Sequence, residues 1–165
     1  MCEACAVIEA AIFQMELRGE DDGQVDPGSF DPELWDHVEQ LVEDQDWGKV
    51  ASQTAIFVED RIRTWAGDPL SSKGDRLVGK GLMTQVLGDT SDWRLGDRPS
   101  ENEGWRALGV GFAQALGNVD RHRIQKRADA HRYAIGVLGL GSLILTQLRY
   151  EHAVLTEARG TAAED

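Results

Sequence analysis

The chain has 165 residues and a formal net charge of −12, enough for one domain with its own core. So acidic a protein does not coat duplex nucleic acid non-specifically, which leaves at most a local basic site for one or a few phosphates. Proline is scarce, which favours helices.

The acid is uneven. Residues 1–46 hold fourteen carboxylates and a single base, Arg18, whereas residues 117–132 hold five bases (Arg121, Arg123, Lys126, Arg127, Arg132) against Asp120 and Asp129. Residues 2–17 read as a helix, with Ala6, Ile8, Ile12, Phe13 and Leu17 apolar among acids. Glu3, Glu9 and Glu16 interrupt that apolar run and no basic region precedes it, so no signal peptide is expected. Cys2 and Cys5 have CxxC spacing without the second pair a structural zinc site uses, so packing, metal and redox roles stay open there and no cofactor is expected. Residues 18–29 are rich in Gly and Asp and read as an exposed loop.

Asp31-Pro32 is a helix start, with Asp as N-cap and Pro at the first helical position. Leu34, Val38, Leu41 and Val42 then mark one helical face. A break at 44–46 leads into a helix over 47–65, whose Val50, Ala51, Thr54, Ala55, Val58, Ile62 and Trp65 recur at steps of three and four. Glu59, Asp60, Arg61 and Arg63 fall on its polar part; Glu59 and Asp60 could face the pocket, although most such pairs face solvent. Residues 76–87 read as a short helix weakened by Gly79 and Gly81, and Trp93 and Leu95 as plugs from the loop that follows. Residues 101–116 read as a helix with Trp105, Leu108, Phe112 and Ala115 on one face. The last helix spans 128–152 and packs Ile135, Leu138, Ser142, Leu145 and Leu148, with Gly136, Gly139 and Gly141 allowing close helix approach. Its apolar face suits either the core or a dimer interface. Its most apolar window, 133–148, is shorter than the ~20 residues of a membrane span. No β alternation is visible, so the fold class is an all-α bundle. The domain boundaries are an N-terminal helix and acidic loop over 1–29, a helical domain over 30–152 and a tail over 153–165. The expected location is cytoplasmic, with no membrane association.

The candidate chemistry sits in 117–127. His122 suits proton transfer near neutral pH or a structural place at a helix end. Asn118 suits a site or a helix cap. Arg121, Arg123, Lys126 and Arg127 suit phosphate or RNA binding, or the complementing of a helix C-terminus and of the acidic first third of the chain. His131 lies close enough in sequence to join them.

Taken in order, the Asp-Pro start, the Ala-rich helix of 50–63, Gly81-Leu82-Met83, the Leu-Gly-Asp element, the Gly-rich helix ending at Asn118-x3-His122 and the closing helix with Ser142-Leu143-Ile144-Leu145 resemble the HEPN superfamily of helical bundles. More narrowly, they resemble an uncharacterised bacterial family found near phage-defence loci. The resemblance covers about 30–149. It implies a homodimer and, in active members, a metal-independent endoribonuclease. Its Arg holds the scissile phosphate, its His moves a proton as the 2′-hydroxyl attacks, and its Asn orients groups. Here the motif Arg is replaced by Gly117 while Asn118 and His122 remain. The resemblance therefore implies a non-catalytic binding or assembly module of the defence or toxin–antitoxin type. The alternative is a ribonuclease in which Asn118 and His122 work with Arg121 or Arg123 displaced into the missing position, since 117 and 121 share a helical face. A nucleotide, RNA or a partner protein is the implied ligand, and a nucleotidyltransferase partner is a third, weaker analogy.

Overall fold

The computed structural model describes residues 25–117 and 128–160; the helix expected over 2–17 lies outside them. The described residues form six helices and no strands: α1 Pro32–Glu43, α2 Trp47–Trp65, α3 Gly79–Val86, α4 Pro99–Phe112, α5 Ala130–Glu151 and α6 Ala153–Gly160. A 3-10 turn, Pro27–Ser29, precedes α1. None of the described helices is long and apolar enough to cross a membrane.

Caps set the first two helices. The Asp31 carboxylate accepts from the Leu34 amide at 3.1 Å and Pro32 occupies the first turn, so α1 begins where its side chains dictate. Asp46 accepts from the Lys49 amide at 3.3 Å and starts α2. The same carboxylate pairs with the Lys49 ammonium, whose hydrogen bond holds the Asp46 pKa below its ordinary value.

α2 and α5 form the central pair, with α1 and α6 against them. The stripe predicted on α2 is the core: Val50, Ala51, Thr54, Ala55, Val58, Ile62 and Trp65 are all buried. Leu138, Ser142, Leu145 and Leu148 of α5 meet it. Close approach is required at Gly141, where a Cβ would sit 2.9 Å from the γ-methyls of both Thr54 and Val58. The Thr54 hydroxyl donates to the Val50 carbonyl at 2.7 Å, which satisfies its polar group within α2 and frees its methyl for this contact.

α3 and α4 pack as a second pair. Trp93 and Leu95 plug the core as expected, and the Trp93 ring stacks on Trp65 with centroids 6.2 Å apart. The face of α4 differs from expectation. Asn102, Gly109 and Phe112 are buried, while Trp105 and Leu108 are half-buried and Ala115 is exposed. A Cβ at Gly109 would stand 2.5 Å from Leu87, and the Asn102 amide donates to the carbonyls of Leu87 (3.1 Å) and Leu95 (3.2 Å). A buried amide thus ties α4 to the end of α3, a role that apolar periodicity does not register. Residues 153–160, expected to be part of a tail, form α6, with Thr156 buried.

A charged network joins the first helix to the last long one. Asp31 is fully buried, and its second oxygen accepts from Arg149 Nε at 2.8 Å. Its own amide donates to the Ser142 hydroxyl. Arg149 also lies 2.8 Å from Glu33, and Glu33 lies 2.6 Å from Arg61 of α2. The Arg149 guanidinium stands 4.8 Å from the Trp65 ring centre. Its burial works against the charge, but the hydrogen bond to Asp31 and the attraction of Asp31 and Glu33 outweigh that, raising its pKa. Removing one partner of a buried pair strands the other, so Asp31→Ala is expected to cost about 3–5 kcal/mol in urea unfolding. Asp31→Asn, which keeps an oxygen for the cap but loses the charge, should cost less by the worth of the cap; an Asn variant as stable as the wild type would show that the charge pair is immaterial.

Candidate functional site

The residues expected to carry chemistry, Asn118, Arg121, His122, Arg123, Lys126 and Arg127, lie outside the described residues. Their borders are described. α4 does not stop at Phe112 but widens into a π turn, Ala113–Gly117, a form that often accompanies functional sites. This turn packs on α2, α3 and α4. On the far side Asp129 leads into α5.

The three described histidines make structural contacts. His131, expected to be able to join the basic cluster, sets its ring 4.3 Å from that of Trp47 at the start of α2. His37 lies 3.1 Å from Gln53 and 4.9 Å from the Phe57 ring. His152 contacts the Arg94 carbonyl at 2.9 Å and meets the Trp93 ring edge-on at 5.4 Å. Among the described residues no group of His, Cys, Asp and Glu is placed to hold a metal ion.

Glu59 corrects the expectation of a solvent-facing acid. It is buried and pairs with Arg63 at 2.7 Å, while the other arm of Arg63 takes the exposed Asp60 at 2.8 Å. Its place was readable in part: four residues after Ala55 and three before Ile62, it borders the apolar stripe, with Arg63 one turn on.

Two surface features went unforeseen. The first is a polar cleft of about 510 Å³ between the loop after α3 and the end of α5. Asp92, Asp97, Glu101 and Glu151 line it together with Arg94 and His152, with Trp105 and Tyr150 as aromatic walls. Gly96 builds its floor. Its φ is +82°, and any Cβ would fall 2.7 Å from Glu101, so only glycine fits. The Gly96 amide donates to Glu151 at 2.9 Å, clipping the loop to α5. No motif marks the cleft, because three of its acids are spread over residues 92–101 and the fourth, Glu151, is brought to them only by the fold.

The second feature is the outer face of α5. Leu143 is 47% exposed and Tyr150 83%, and Val154 of α6 is 79% exposed. Gly136 and Gly139 lie on the same side, and a Cβ at either would find no heavy atom within 4 Å. Close approach therefore holds for Gly141 alone of the three glycines. Gly141→Ala is expected to destabilise by about 1–3 kcal/mol through overpacking. Gly139→Ala should stabilise the helix by up to about 1 kcal/mol. Thermal unfolding of the two variants checks this; the same sign in both would refute the assignment of faces.

A protein-family model described as a protein of unknown function (Hypoth_ymh) matches residues 28–148. No curated protein and no solved structure matches the chain. The resemblance to HEPN is thereby corrected: the matching stretch is nearly the one that carried it, yet the family is a different one and no HEPN family model matches. The reading of Gly117 as a lost catalytic arginine came from that resemblance alone and goes with it.

Proposed function

The chain belongs to the Hypoth_ymh family, proteins of unknown function, and we propose that it is a non-catalytic binding or assembly module that works as a homodimer. The observation that supports this is the outer face of α5. Scattered apolar residues are normal on a surface, but Leu143 and Tyr150 lie on one line of α5 at a step of seven, beside two glycines with free space, and Val154 is exposed on α6. Large exposed apolar side chains aligned on one face support a protein contact. The engagement of His37, His131 and His152 in packing agrees with a structural rather than a chemical use of these side chains.

Light scattering on the full chain is expected to give twice the monomer mass, and Leu143→Glu the monomer mass with an unchanged helical spectrum. A monomeric wild type would end this reading. The rival reading, an endoribonuclease, has one specific support: the sequence places Asn118 and His122 among Arg121, Arg123, Lys126 and Arg127. EDTA-treated protein incubated with mixed RNA decides between them. We expect no cleavage; cleavage that disappears in His122→Ala would establish the enzyme instead.

A further inference from the structure

In a chain with this excess of carboxylates most arginines find a partner. Arg61, Arg63, Arg76, Arg98 and Arg149 each pair with an acid. Two half-buried arginines, Arg94 and Arg106, do not. Neither makes an ion pair or a side-chain hydrogen bond among the described residues, although Asp89 and Glu103 line the same recess with them. That recess is a second cleft, of about 490 Å³, between the loop after α3 and the first two turns of α4, and Pro99 and Asn102 complete its lining. Its size is that of a small-molecule site.

Both guanidiniums are carried on fixed backbone. Arg94 stands between the buried plugs Trp93 and Leu95; its amide donates to the Ser91 carbonyl at 3.1 Å, and its own carbonyl meets His152 at 2.9 Å. Arg106 follows Asn102 by one turn of α4, and the Asn102 amide is tied to the carbonyls of Leu87 and Leu95. Arg94 also borders the larger cleft and stays unpaired there. Of the acids on that side, Glu151 is held by the Gly96 amide and Glu101 by Arg98, while Asp92 and Asp97 are exposed.

We propose that Arg94 and Arg106 hold the oxyanion head, carboxylate or phosphate, of a small hydroxylated molecule in this cleft. The four charges of the lining sum to zero, so depth decides the sign. Asp89 and Glu103 are exposed and remain hydrated, whereas the two arginines are half-buried. A guanidinium partly withdrawn from water lacks acceptors that an anion restores, and its planar fork matches both kinds of head group. The N-terminal end of α4, marked by Pro99, borders the same cleft and adds positive potential. Asp89 and Glu103 then set the rest of the molecule. They repel a bare anion and accept hydrogen bonds from hydroxyl groups behind the head. The site does not depend on the α5 contact, and a monomeric chain would leave it intact.

Calorimetric titration of the full chain with glycerol 3-phosphate and with glycerate tests this, since the two share a hydroxylated body and differ in the head. One-to-one binding of either is expected, and the tighter of the two names the head group. Arg94→Gln and Arg106→Gln should each raise its Kd at least about tenfold. Neither should lower the melting temperature, because neither arginine has a partner in the fold to lose. Glu103→Gln should weaken binding of that compound yet strengthen binding of inorganic phosphate, which meets only repulsion from the carboxylate. A wild type that binds neither compound below about 10 mM overturns the site. Binding that survives both arginine substitutions overturns it as well. So does a clear fall in melting temperature in both variants, which would make the arginines structural.

Discussion

The buried carboxylate of Asp31 is the constraint on which the rest of the bundle depends. It does two jobs at once. One oxygen caps α1, and the other meets Arg149 near the end of α5. Its backbone amide is held by Ser142, two turns earlier on the same helix. Thus the start of α1 is fixed in position and direction against α5 by two polar contacts. Arg149 extends the arrangement to α2 through Glu33, Arg61 and the Trp65 ring. A charge this deep is tolerated only with its partners in place, so the network favours one arrangement of helices over near alternatives that would pack the same apolar side chains.

α5 is the element that serves two masters. One side, through Gly141, Ser142, Leu145 and Leu148, belongs to the core; the other holds Gly136, Gly139, Leu143 and Tyr150 toward solvent. The polar cleft at its C-terminal end is built by the loop that Gly96 clips to Glu151. Core, outer face and cleft therefore meet on a single helix.

The helices were legible where local chemistry decides them. Asp31-Pro32 and Asp46 place the starts of α1 and α2, and every residue named by the three-and-four spacing of α2 is buried, while Glu59 and Arg63, buried beside them, escape it. The face of α4 was not legible, because a side-chain amide at Asn102 and the bare backbone of Gly109 make its contacts, and neither counts as apolar. The three glycines of α5 look alike in sequence, yet Gly139 and Gly141 lie about 200° apart around the helix axis and have opposite surroundings. Nothing local pairs Asp31 with Arg149, or brings Glu151 to the acids of residues 92–101 in the cleft, since the partners are distant in the chain. The basic stretch around His122 stood out by charge alone, and charge composition says which residues are unusual without saying what they are arranged to do.

The distance in sequence between Asp31 and Arg149 has a consequence for the order of events during synthesis. The two are 118 positions apart, so the carboxylate leaves the ribosome long before its guanidinium has been made. Until then α1 has its cap but not its anchor, and its apolar side can be covered only by α2. Closing so long a loop is entropically unfavourable until the final contacts compensate it. The α1–α5 edge therefore stays open until α5 has been made, and the arrival of that helix both completes the core and locks the first.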